Sequence, residues 1–165
     1  HSQLIDNPKQ TNTSEDLLKI AVVNRYQEAS PALGYIKNVG LKTGAIASSV
    51  GHDSHNIIVV GTDSESMAKA ANLIIDAKGG VSAVGRGQEM LLELPVGGIM
   101  SEKDGYDVAR SYSEIDAFAK SLGSNLGSPF MTLSFMALLV IPQAKMSDLG
   151  FFDGEAFKFI DVFMK

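Results

Sequence analysis

Four β-branched residues in succession, Ile57-Ile58-Val59-Val60, closed by Gly61, fix a strand near the middle of this chain. Such side chains are stiff at χ1 and suit a pleated surface better than a helix. Other segments read as partners for that strand. Leu17–Tyr26 (LLKIAVVNRY) is a second apolar, β-rich run, followed by a turn at Gln27–Pro31. Gly34–Val39 alternates Tyr35 and Lys37 against Ile36 and Asn38 before Gly40 ends it, and Ala45–Val50 makes a short strand of small residues. Val81–Val84 and Glu89–Leu94 flank Gly85-Arg86-Gly87-Gln88, the pattern of a β-hairpin closed by a glycine turn, with Pro95 and Gly97-Gly98 beyond it.

Helical periodicity interrupts these strands. Thr62 or Asp63 can cap a helix whose apolar positions are Met67, Ala70, Ala71 and Ile74, with Glu65 in its first turn and Gly79-Gly80 as its left-handed stop. A second helix spans Asp104–Leu122, where Val108, Tyr112, Ile115, Ala119 and Leu122 form an apolar stripe ending at Gly123. Ser128-Pro129 opens a third, largely buried helix over Phe130–Leu139, stopped by Pro142. The tail has turns at Gly150 and Gly154 and an aromatic strand candidate, Ala156–Phe163. The expected fold class is α/β in the mixed α+β sense. It is a single two-layer domain, a mostly β-strand sheet packed by about three helices. Residues 1–16, polar and holding Pro8, read as a linker or flexible arm before a domain over 17–165.

Composition removes several function classes. At 165 residues, 45% hydrophobic and 20% charged, the chain carries enough apolar mass for one core. Fourteen basic residues against 19 acidic ones leave a net charge of −5, and its three arginines, Arg25, Arg86 and Arg110, are scattered. Nucleic-acid binding needs a clustered basic footprint, so no nucleic acid is expected as a partner. Cysteine is absent, which excludes disulfides and thiolate metal sites. The most apolar run, Phe130–Ile141, is interrupted by Thr132 and Ser134 and falls short of the ~18–20 residues that span a bilayer, so no membrane association is expected. The chain opens on His1, its first methionine is Met67, and it is expected to be cut from something longer.

The densest chemistry lies in Ser48-Ser49-Val50-Gly51-His52-Asp53-Ser54-His55-Asn56, seven hydrogen-bonding side chains in nine positions directly before the central strand. Polar groups beside a core cost roughly 1–3 kcal/mol each unless satisfied. In an extended segment Asp53 and His55 share a face, where the carboxylate could fix the imidazole tautomer. Three readings stand together: a polar pocket wall built on Asp53 and His55, a turn that satisfies its own backbone, and a metal site. The third is short of ligands, because zinc takes three or four and the only other histidine is His1. Arg25, at the end of an apolar strand, can face a ligand or hold a structural carboxylate. The strand-to-helix junction Val60-Gly61-Thr62-Asp63 lacks a phosphate-binding glycine pattern, and no Gly-x-Ser-x-Gly elbow is present.

Read in order, Lys19-Ile20-Ala21-Val22-Val23-Asn24-Arg25-Tyr26, Gly40–Ser49, His52-Asp53-Ser54-His55-Asn56-Ile57, Val60-Gly61-Thr62-Asp63, Pro129–Phe135 and Val140-Ile141-Pro142 resemble the C-terminal domain of adenine deaminase. The resemblance covers roughly Leu17–Phe163 and is most specific in the His-Asp-Ser-His-Asn block. It implies an amidohydrolase-superfamily parent of purine metabolism, a cytoplasmic hydrolase that converts adenine to hypoxanthine and ammonia with a divalent metal, manganese or iron, held in a (β/α)8 barrel. Such a barrel takes about 250 residues, and its His-x-His ligand pair is missing from this sequence. The implied role is therefore an accessory domain that has no cofactor or metal of its own, is inactive alone, and is partnered by the missing (β/α)8 catalytic domain in a homo-oligomer. No catalytic residue is assigned within it. The candidates for lining the adenine pocket are His52, Asp53, His55, Arg25, Ser54 and Asn56. The alternatives are a stand-alone small-ligand-binding module and a structural or interaction domain without catalysis.

Overall fold

A computed structural model describes residues 11–161. Six strands form the larger sheet: β1 (Leu17–Val23), β2 (Ala32–Lys37), β3 (Ala45–Ser48), β4 (Ile57–Gly61), β5 (Gly80–Gly85) and β6 (Gln88–Glu93). They lie in the order β2-β1-β4-β3-β5-β6, every neighbouring pair antiparallel. β4 is buried throughout its length, as its unbroken β-branched sequence requires. The β5–β6 hairpin turns on Arg86 and Gly87, both at positive φ, which is the two-residue turn whose twist matches the flanking strands.

Helices pack on both faces of the sheet. On one side α1 (Ser64–Asp76) packs Met67, Ala70, Ala71 and Ile74 against Ala21, Ala45, Ala47, Ile57 and Val59. Asp63 is its cap: the carboxylate accepts hydrogen bonds from the Ser66 amide at 2.7 Å and the Ser66 hydroxyl at 2.9 Å. At the other end the left-handed residue is Lys78 (φ 61°), not a glycine. The Gly79 amide reaches back to the Ile74 carbonyl and the Lys78 amide to that of Ile75, which satisfies the last turn. On the opposite face α2 (Gly105–Ser121) and α3 (Pro129–Phe135) bury Ile115, Ala119, Leu122, Phe130 and Leu133 against Leu18, Ile20, Val22, Ile46, Ile58 and Val60. No helix among the described residues is long and apolar enough to cross a membrane.

The mixed α+β class is the one observed; with α1 on one face of the larger sheet and α2 and α3 on the other, three layers stand in place of the expected two. Two features of the C-terminal third differ from the sequence reading. The third helix stops at Phe135 rather than Leu139, because the ladder tightens there, the Met136 amide donating to Leu133 and the Leu138 amide to Phe135, while the Met136 carbonyl accepts the Met146 amide at 2.9 Å. Met146 begins that exchange from β7 (Ala144–Ser147), which pairs with β8 (Gly150–Asp153) and β9 (Lys158–Ile160) in a second, three-stranded sheet. The expected strand Ala156–Phe163 shrinks to β9, and Val162 and Phe163 lie outside the described residues. Phe151 anchors this sheet against β2, where Gly34 leaves room for its ring.

The expected arm, residues 1–16, is described only from Thr11 onward. Thr11 donates to the Thr62 carbonyl at 2.6 Å, Asn12 bridges to Leu17, and the Asp16 carboxylate accepts the Gly40 amide at 2.8 Å.

Candidate functional site

Strand direction assembles the site. Because neighbouring strands alternate, β1, β3 and β6 finish at the same end of the sheet where β4 and β5 begin. The segments 24–31, 49–56 and 94–100 therefore meet there, although they are far apart in sequence. The sequence-predicted residues Arg25, His52, Asp53, Ser54, His55 and Asn56 are all in these segments, so the structure brings the six to one edge.

Asn56 is buried, and its side-chain oxygen accepts the Arg25 backbone amide at 3.1 Å, which fastens the exit of β1 to the entrance of β4. The Arg25 guanidinium reaches no carboxylate among the described residues. It donates to the Gly97 carbonyl at 2.8 Å and to the Tyr26 hydroxyl at 3.1 Å, and it lies over the Tyr26 ring at 5.1 Å. Tyr26 in turn donates to the Ser54 carbonyl at 2.6 Å. A relay of Gly97, Arg25, Tyr26 and Ser54 thus straps the polar loop to the hairpin's exit. Gly98 completes the cradle: a Cβ there would sit 1.2 Å from Arg25 Nη1, and its φ of +80° suits glycine. Ser49, fully buried, donates to the Gly98 carbonyl and accepts the Gly80 amide at 2.8 Å, pinning the same glycine loop from beneath.

The His52–His55 segment is a turn and not an extended run. The His55 amide closes it by donating to the Gly51 carbonyl at 2.8 Å, and His55 takes a positive φ of 54°. Strand alternation therefore does not apply, and the expected Asp53–His55 pairing is not made: no hydrogen bond joins them among the described residues. Asp53 and Ser54 are exposed at the tip. His52 is half-buried with its ring tilted against Phe135 at 5.2 Å between centroids, and its amide donates to the Ser134 carbonyl at 3.2 Å. His55 Nδ1 and Arg25 Nε are buried without a hydrogen-bond partner among the described residues. Buried polar atoms left without partners cost about 1–3 kcal/mol each, a penalty that a folded chain rarely tolerates without use.

Sequence reasoning missed Tyr26, Gly98 and Asn24. Asn24 caps the turn after β1 by accepting the Tyr26 amide at 2.9 Å, and it donates to Asp148 at 2.7 Å, tying the second sheet to this edge. The only available signal was the adjacency of Asn24 and Tyr26 to Arg25. Nothing local marks Gly98 as the floor beneath a residue 73 positions earlier. No group of three or more His, Asp or Glu side chains among the described residues could hold a metal ion. This donor set does not fit a divalent cation, so no step is routed through one here. What the edge does present is an exposed carboxylate, two imidazoles and a hydroxyl, held rigidly by backbone contacts. Such groups can donate to and accept from a polar ligand.

Comparison with known proteins matches residues 2–158 to the family described as the adenine deaminase C-terminal domain. Among named relatives, an adenine deaminase of Sulfurovum sp. is 54% identical over 149 residues, covering 90% of this chain and 28% of that protein. One from Borreliella afzelii is 47% identical over 162 residues, 97% of this chain and 30% of the relative. The adenine deaminase of Methanothermobacter thermautotrophicus is 45% identical over 153 residues, 93% of this chain and 28% of the relative. The chain spans less than a third of these relatives' length. On the match over nearly its whole extent, the chain belongs to the adenine deaminase C-terminal domain family.

Proposed function

We propose that this chain is the accessory C-terminal domain of a cytoplasmic, homo-oligomeric adenine deaminase, and that its edge at residues 51–56 lines or closes the adenine pocket of the catalytic (β/α)8 barrel. One observation carries the reading: three chain segments meet at this edge, and the loop among them has an exposed polar tip on a strapped base. Asp53 and Ser54 are exposed at the tip, and the buried His55 Nδ1 has no hydrogen-bond partner among the described residues, which suits all three to a group from outside the domain. Adenine offers an exocyclic amine that donates and ring nitrogens that accept. Asp53 is suited to accept from the amine, and His52 and His55 to meet ring nitrogens. Arg25 and Asn56 are positioning residues, since Asn56 holds the Arg25 amide and the Arg25 guanidinium is engaged by the Gly97 carbonyl and Tyr26.

In the parent, a divalent metal such as manganese or iron, held by the barrel, would supply the activated water for hydrolysis to hypoxanthine and ammonia. This domain's share is to exclude bulk water and orient the purine. The test is to change Asp53 or His55 to Ala in the full-length enzyme and measure steady-state turnover of adenine. A loss of at least about tenfold in kcat/KM, typical of removing one well-placed polar contact, is expected. An unchanged kcat/KM for both variants removes the loop from the pocket.

A further inference from the structure

Beyond the polar edge, one apolar surface has no cover among the described residues. An α-helix is about 10 Å wide and strands are about 4.8 Å apart, so one helix covers two or three strands of a six-stranded sheet. α1 lies over β3, β4 and β5. On the α1 side Ala21 of β1 lies beneath the helix, but Val23 is only half-buried and the neighbouring Leu33 of β2 is exposed, although the opposite face of both strands is packed beneath Phe151 and the second sheet. The result is an open groove of about 350 Å³, floored by Ala21, Val23 and Leu33 and walled by Met67, Ala68 and Ala71. Leu33 is 67% exposed at its rim.

The way the chain enters identifies what covers this groove. Lys19 and Ser64 close one end of it, joined at 3.0 Å. Thr11, the first described residue, is hydrogen-bonded to Thr62, two residues before Ser64. Thr11 is thus anchored close to the end of the groove that Ser64 closes. The relatives carry more than two thirds of their length outside the part that this chain matches. A segment tethered at Thr11 would face the groove at an effective concentration of millimolar order, enough to hold a modest apolar contact that a free partner would not.

We propose that the β1–β2 groove is the docking seat for the preceding part of the same polypeptide, which lays apolar side chains over Leu33 and Ala68. The inference rests on the reading of this chain as the C-terminal part of a longer deaminase. It is tested in that full-length protein by comparing thiol alkylation of Leu33→Cys with Arg86→Cys, which sits at the hairpin tip on the opposite end of the sheet. Leu33→Cys is expected to react on the order of tenfold more slowly, as a covered site does, and to keep that protection on dilution to the monomer, followed by light scattering. Equal rates overturn the proposal. So does protection that vanishes as the mass falls, which would assign the groove to a second copy. Amine crosslinking of the unsubstituted protein gives a readout free of mutation. Intramolecular links from Lys19 to residues N-terminal to Thr11 support the seat, and links confined to residues 11–161 refute it. Adenine turnover measured on the same sample scores the deaminase reading separately.

Discussion

Replacing Gly98 with Ala tests the cradle around Arg25. The new Cβ would lie 1.2 Å from Nη1 and 2.3 Å from Cζ of Arg25, so the guanidinium must leave. With it go the bonds to the Gly97 carbonyl and the Tyr26 hydroxyl. Hydrogen bonds to a charged group are worth about 1.5–3 kcal/mol when fully buried, and Arg25 is only half-buried, so about 1–2 kcal/mol is a fair figure for the pair. Holding Ala at φ +80° adds roughly 1–2 kcal/mol. The total is about 2–4 kcal/mol, measured by urea unfolding with an unchanged denaturant slope. Gly97→Ala is the control: its φ is +64°, yet its Cβ meets only Ile99 at 3.9 Å, so it carries the backbone strain alone. Gly98→Ala should therefore cost about 1–2 kcal/mol more than Gly97→Ala, and in an Arg25→Ala background the gap should close. Equal costs in the native background, or a gap that persists without the arginine, would refute the cradle.

Further outcomes follow from the same contacts. Tyr26→Phe should change stability by less than about 1 kcal/mol, because the ring is mostly exposed, while speeding amide hydrogen exchange across residues 52–55 as the Ser54 strap is lost. Burial of Asp63 pushes its carboxyl up, but hydrogen bonds from Ser66 and Thr62 outweigh this and hold it below the ordinary aspartate value of 3.8. A carboxyl depressed in the folded state stabilises above its unfolded pKa and loses that contribution as pH falls through the folded one. Asp63→Asn should therefore cost up to about 1 kcal/mol near neutrality, and the difference should shrink below about pH 4 in paired urea titrations. The 165-residue chain alone, supplied with manganese or iron, should deaminate adenine no faster than a metal-only blank.

What could be read from the residues, and what could not, follows from the range of the forces involved. α1 was legible because Met67, Ala70, Ala71 and Ile74 sit at helical spacing and the structure buries those four. The β5–β6 hairpin was legible because Arg86-Gly87 is a local turn signal. The end of α3 was not: its last bonds tighten to three-residue spacing at Met136 and Leu138, and Met146, ten residues beyond the cap at Met136, takes a carbonyl that local rules assign to the helix. β7 and β8 escaped notice because each has four residues and little alternation, and they form by pairing with each other and by packing Phe151 on Gly34. The polar block before β4 was visible from composition, but its internal geometry was not. A turn at residues 52–54 replaced the extended run that would have paired Asp53 with His55. Gly97-Gly98 looked like a hairpin exit, and its role in seating Arg25 is a contact across the fold.

Photolabelling of the full-length enzyme with an azidoadenine, followed by peptide mapping, asks directly where the purine lies. The account predicts label within the peptide that contains Gly51–Asn56, reduced by excess adenine. Adenine-competed label found only in peptides outside this domain would contradict it.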